Sequence, residues 1–259
     1  MERKFFQAYV SAMMPKFKPA IMRRWFFETY EDNTKPVVFF GVYHNRDIQL
    51  INNHKGPKII VFLGNDIDRH GGLFKDDPNA YHVAYGPFKD KLEALGVKVY
   101  HHVTPLKEYD YWKPMPLGDC IYVYKGQRGN RRGHYKWSEV VVPLIQEFGD
   151  KVIWTDSQTE RDLKLNWYSR CFAYVKPTPI GGSTAMWELG HMGIRSFTQE
   201  HDHLNFGHTV DYKDVDDLIL KLKEEKSRIG QVRDDVALAA SNALDGNENW
   251  LSYEYYGIS

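Results

Sequence analysis

Apolar and polar positions along this chain follow two alternating periods. Three stretches are apolar almost without interruption: Val37-Val38-Phe39-Phe40-Gly41-Val42-Tyr43, Ile59-Ile60-Val61-Phe62-Leu63 after Lys58, and Phe172-Ala173-Tyr174-Val175. Such runs predict strands buried on both faces. Val97 to Tyr100, Ile121 to Tyr124, Val152 to Trp154 and Arg195 to Phe197 read as further short strands. Between them the spacing lengthens to that of helices, over Asp47 to Ile51, Pro87 to Leu95 (stopped by Gly96), Trp137 to Phe148, Ser183 to His191 and Val215 to Lys226. Strands alternating with helices are the pattern of a parallel α/β sheet. The head of the chain, with Phe5, Phe6, Tyr9, Val10, Met13 and Met14, predicts an amphipathic helix broken near Pro15 and Pro19.

The periodicity lapses over Tyr109 to Gly118, where two prolines and a glycine make a candidate linker. Two α/β halves are therefore expected: an N-terminal domain over 1–115 with a basic helical arm, and a second domain over 116–245. The tail, 246–259, carries Trp250, Leu251, Tyr253, Tyr255 and Tyr256 and is expected to pack back on a domain.

Composition adds exclusions. In 259 residues, 42% are apolar and 15% aromatic, which fits an ordered chain of one large or two small domains and excludes disorder. Apolar runs fall short of the ~20 residues of a membrane span. Lys16, Lys18, Arg23 and Arg24 interrupt any secretory signal. Cys120 and Cys171 sit in strand-like runs and read as buried thiols of a reducing, cytoplasmic compartment. The net charge is zero but uneven, since residues 1–25 hold six Lys or Arg against Glu2 alone. A basic arm suits an anionic partner.

Ligands of open α/β sheets bind at the carboxyl ends of strands, which singles out three junctions. After Ile121–Tyr124 comes Lys125-Gly126-Gln127-Arg128-Gly129-Asn130-Arg131-Arg132-Gly133, whose glycines allow close backbone approach and whose cations suit phosphate. It is neither a Walker A loop nor a GxGxxG turn. Next, Gly181-Gly182-Ser183-Thr184 opens a helix and offers free N–H groups and hydroxyls to an anion, with Glu188 one turn on from Thr184. Third, Gly64-Asn65-Asp66-Ile67-Asp68-Arg69-His70 follows the strand Lys58–Leu63 and puts a carboxylate at a strand end, where it could serve as a base. His201, Asp202, His203 and His208 lack metal-site spacing, and no Gly-x-Ser-x-Gly elbow is present.

Together, Ile121-Tyr-Val-Tyr-Lys-Gly, Val152-Ile-Trp-Thr and Ser183-Thr-Ala-Met-Trp-Glu-Leu-Gly-His-Met-Gly resemble the donor half of GT-B glycosyltransferases. They are most similar to the small single-chain enzymes of phages and large viruses. Gly41-Val42-Tyr43 and Gly64-Asn65-Asp66 resemble that group's first strand ends. The resemblance implies two Rossmann-like domains with a cleft between them. It also implies a nucleotide-sugar donor, UDP-linked, held without an obligatory cofactor. On this reading Lys125, Gly126, Arg128, Arg131, Arg132, Gly181, Gly182, Ser183 and Thr184 hold the diphosphate, and Glu188 the ribose. Such enzymes carry an arginine before the Gly-rich turn, where this chain has Lys176 and then Pro177, keeping the charge without the fork. Asp66 is the candidate base, with Gly41, Tyr43, His44 and His70 on the acceptor side. The basic arm, with Trp25, Phe26 and Phe27, suits an anionic polymer; combined with the phage-like resemblance it implies a hydroxymethylated pyrimidine in DNA as acceptor, beside a glycan or a protein acceptor. Two alternatives stand: a GT-A-type transferase holding Mn²⁺ or Mg²⁺ on Asp66 and Asp68, and a non-catalytic nucleic-acid-binding α/β protein.

Overall fold

The computed structural model describes residues 2–123, 136–155, 159–177, 184–199, 206–244 and 248–257. Two units divide the chain: Met1–Glu108 with Leu244–Ser259, and Tyr109–Ala243.

The first unit is built on strands β1 (Gln7–Val10), β2 (Glu28–Thr29), β3 (Val37–Phe40), β4 (Lys58–Val61), β5 (Ala80–Ala84) and β6 (Val99–His101). They form one parallel sheet in the order β2-β1-β3-β4-β5-β6. Helices α1 (Lys18–Arg24), α2 (Asn45–Asn53), α3 (Asp66–His70) and α4 (Pro87–Ala94) connect them. Parallel strands need crossover connections, which lay helices over the sheet, and every residue of β3 and β4 is buried. Even Lys58, at the head of β4, is enclosed, with its ammonium donating to Asp77 at 2.7 Å and to the His54 carbonyl at 2.8 Å.

The head of the chain departs from the sequence reading. Residues 7–10 are a strand inside the sheet, in register with Val37–Phe40, and only Lys18–Arg24 is helical. A short apolar run does not distinguish strand from helix by its period. Here Gln7 decides, because its buried amide donates to the Asp32 and Lys35 carbonyls and accepts from the N–H groups of Glu31 and Asp32. The described head of the chain is thus packed into the first unit and is not a separate arm. Trp25 and Phe27 are core residues, Arg23 pairs with Glu108, and of the three aromatics only Phe26 is exposed. The tail closes this same core. Trp250 packs edge-on to Trp25 at 5.5 Å, and the Tyr256 hydroxyl donates to the Trp250 carbonyl.

The second unit contains β7 (Cys120–Val123), β8 (Val152–Ile153), β9 (Cys171–Val175), β10 (Arg195–Gln199) and β11 (Thr209–Tyr212). They form a parallel sheet ordered β11-β10-β9-β7-β8. Its helices are α5 (Val142–Phe148), preceded by a π-helical turn over Trp137–Val141, then α6 (Glu160–Asp162), α7 (Thr184–His191), α8 (Val215–Lys226) and α9 (Asp234–Ala243). The stretch that reads as a linker is packed into this unit. Tyr109, Trp112 and Leu117 are buried, and Gly118 lies so close to Arg170 that a Cβ would sit 2.1 Å from its carbonyl carbon. Among the described residues no helix is long and apolar enough to cross a membrane.

Candidate active site

In each sheet the strand order reverses once, and the carboxyl edge at that point is where open α/β folds bind ligands. In the first sheet the reversal falls between β1 and β3. The loop after β1 is fastened there by Asp47, a buried residue in the first turn of α2. Its carboxylate accepts from the Tyr9 hydroxyl (2.8 Å), the Ser11 hydroxyl (2.8 Å), and the backbone N–H groups of Tyr43 (2.9 Å) and His44 (3.0 Å). Burial, then the bond to Asp47, pushes the Tyr9 hydroxyl up to about 12. Gly41 adopts φ +78°, and a Cβ there would lie 2.5 Å from the Tyr43 ring. The Tyr43 hydroxyl is pushed far up by burial first, then by the Asp66 and Asp47 carboxylates. His44 stands exposed at the N-cap of α2, and His70, half-buried, ends α3.

Asp66 has a different place from the one its sequence position suggests. It is fully buried, and its oxygens accept from the N–H groups of Val42 (3.1 Å), Leu63 (3.3 Å) and Gly64 (2.8 Å). Burial raises its carboxyl above the usual carboxylate range, against the pull of those N–H groups. It ties the loops after β3 and β4 together and presents no oxygen to solvent. Asp68 pairs instead with Lys91 at 2.9 Å, so the two carboxylates do not converge on one site. Among the described residues no cluster of three His, Cys, Asp or Glu side chains is arranged to hold a metal ion.

In the second sheet the order reverses between β9 and β7. Lys176 follows β9 directly and is buried; its N–H donates to the Phe197 carbonyl at 3.0 Å. Thr184 is the first residue of α7, and Glu188, one turn on, is only 3% exposed. The Tyr168 hydroxyl beside Glu188 is pushed well up, by burial first and then by that carboxylate. Lys125, Gly126, Arg128, Arg131, Arg132, Gly181, Gly182 and Ser183 lie outside the described residues.

Sequence reasoning missed Tyr9, Ser11 and Asp47, because a strand at the head of the chain was read as a helix. It also missed Lys136, Trp137, Trp154 and Gln199 in the second unit. Lys136 is one of two non-glycine residues with positive φ among the described residues, at +46°, and its ammonium donates to the Gln199 amide oxygen at 3.0 Å. The Trp137 and Trp154 rings meet edge-to-face at 5.0 Å. No single-residue signal marks these positions; only the long-range contacts do.

No protein-family model matches the sequence, and no curated protein is similar to it at a meaningful level. Solved structures do share its fold. Sucrose-phosphate synthase from Thermosynechococcus elongatus superposes with a TM-score of 0.58 at 11% identity, over 93% of this chain and 75% of that one. HepE from Anabaena, solved with UDP and glucose, superposes with a TM-score of 0.52 at 9% identity, over 82% of this chain and 74% of that one. The α/β class with two Rossmann-like parallel sheets, implied by the GT-B resemblance, is thus the fold of this chain.

Proposed function

We propose that this protein is a glycosyltransferase that moves a sugar from a UDP-sugar to an acceptor hydroxyl. The observation that carries the reading is the β9/β7 reversal of the second sheet. Lys176 leaves one strand there, and α7 brings Thr184 and Glu188 to the element that follows it. The fold likeness to a sucrose-phosphate synthase and to a UDP-and-glucose complex supports it.

In this reading the leaving UDP gains negative charge as the glycosidic bond breaks. Lys176 and the cations Lys125, Arg128, Arg131 and Arg132 neutralise that charge, with N–H donors of the Gly181-Gly182-Ser183-Thr184 turn. Fixed donors of this kind stabilise the transition state more than the ground state. Glu188 accepts from the ribose hydroxyls. With Asp66 enclosed, the proton of the acceptor hydroxyl passes to His44, which is exposed at the carboxyl end of β3. A hydroxymethylated pyrimidine in DNA is the acceptor proposed from the sequence. Burial of Trp25 and Phe27 leaves that proposal with the exposed cations Lys16 and Lys18 and without those two stacking surfaces.

The test is UDP release from UDP-glucose in the presence of hydroxymethylated DNA, unmodified DNA, glycans or peptides. Release stimulated by one acceptor class, with the sugar recovered on it, supports the reading and names the acceptor. No release above a heat-inactivated control with any UDP-sugar contradicts it.

A further inference from the structure

The two cysteines stand far apart in sequence, and the second sheet brings them side by side. Cys120 opens β7, Cys171 opens β9, and they are direct partners across this parallel pair of strands. The register then skips Phe172, the extra residue of a bulge, and resumes with Ile121 opposite Ala173. Backbone contact just before the pair holds the two strand heads together. The Gly118 N–H donates to the Cys171 carbonyl at 3.0 Å, and the absence of a Cβ at 118 admits the Arg170 backbone. Paired residues of neighbouring strands lie about 4.8 Å apart, inside the roughly 4.4–6.8 Å between Cα atoms that a disulfide bridges.

Both cysteines are buried, yet each follows an exposed residue, Asp119 and Arg170 respectively. The Cys120 Sγ donates to the Asp119 carboxylate at 3.4 Å and lies 3.9 Å from the Arg170 guanidinium. Lys151 pairs with the same carboxylate. The Cys171 Sγ donates to the Trp167 carbonyl at 3.2 Å. Burial pushes both thiols up, Cys171 well beyond the usual thiol range, while Arg170 and Lys151 pull against it at Cys120. Cys120 is therefore the thiol that ionises first and attacks.

We propose that Cys120 and Cys171 are a redox-active pair that closes to a disulfide with a small-molecule disulfide such as oxidised glutathione. The Cys120 thiolate attacks one sulfur of the oxidant and expels the first glutathione. The Cys171 thiolate then attacks the Cys120 sulfur and expels the second. Two protein thiols are oxidised, one oxidant disulfide is reduced, and the protein's two thiol protons end on the released glutathiones. The bond ties the heads of β7 and β9, at the sheet edge opposite the proposed donor site, and closes residues 120–171 into a loop. A closed loop restricts the unfolded chain, so oxidising surroundings stabilise the second unit and reducing ones release it. This modification site stands independently of the UDP-sugar reading.

The test incubates the folded full chain with excess oxidised glutathione, followed by alkylation, intact mass measurement and peptide mapping without reductant. Wild type is expected to lose two hydrogens and to yield a peptide joining Cys120 to Cys171. Cys171→Ser is expected to stop at a glutathione adduct on Cys120, and Cys120→Ser to stay unmodified. The oxidised wild type should melt about 5 °C or more higher, and dithiothreitol should reverse the rise. Two alkylatable thiols after the incubation, a link formed only in urea, or an oxidised form that melts no higher overturns the assignment.

Discussion

Replacing Asp66 by alanine removes an acceptor shared by three backbone donors, the N–H groups of Val42, Leu63 and Gly64 at 3.1, 3.3 and 2.8 Å. Each donor left buried and unpaired costs ~1–3 kcal/mol. Relief from burying a carboxylate offsets part of this, since burial already raises its carboxyl. The net expectation is a loss of about 3 kcal/mol for Asp66→Ala. Asp66→Asn is expected to cost about half as much, because its amide keeps one acceptor while its NH₂ faces a donor. Urea unfolding followed by circular dichroism reads both, as a lower midpoint with an unchanged slope. A stability within about 0.5 kcal/mol of wild type for Asp66→Ala, the range of ordinary surface changes, would refute the bracing role. Unchanged stability of Asp66→Asn together with abolished transfer would restore Asp66 as the base.

Acid should destabilise the protein through His82 and His208, whose rings burial pushes from 6.5 down to about 4. The unfolded chain takes up their protons first, so stability present above pH 6.5 is lost as pH falls toward 4, on the order of 3 kcal/mol for each ring. Unfolding midpoints from pH 7.5 to 4.5 measure it, and a slope unaltered by His208→Gln would contradict the assignment. Trp250→Ala should cost roughly 3–5 kcal/mol, because the ring is 1% exposed against Trp25 and Phe40. A change under 1 kcal/mol in the same urea assay would show that the tail is not part of the first core.

The strands legible in the sequence are those buried on both faces. Val37–Phe40 and Cys171–Val175 are apolar throughout because helices cover each side. The helix Val215–Lys226 was legible to the residue, since Asp214 caps it by accepting from the Asp217 N–H at 2.9 Å and Leu218 and Leu222 repeat at helical spacing. Less legible were β1 and β5, as long as β3 and β9 but carrying Gln7 and His82 among their buried residues. Polar residues inside a sheet are satisfied by partners distant in sequence, and no local period reports them. The same holds for the site. A carboxylate after a strand suggested chemistry at Asp66, but the loops that enclose it are set by three-dimensional packing. Asp47, with four donors converging on it, looks from sequence like an ordinary residue in a first helical turn.

In the proposed function the second unit holds a UDP-sugar with Glu188 on the ribose. Isothermal titration of UDP, in EDTA and in Mn²⁺, on wild type and on Glu188→Gln tests it most directly. UDP is expected to bind in EDTA, weakened about tenfold or more by Glu188→Gln, with a smaller loss for 2′-deoxy-UDP. Absence of UDP binding by folded protein, or equal affinity in Glu188→Gln, would contradict it.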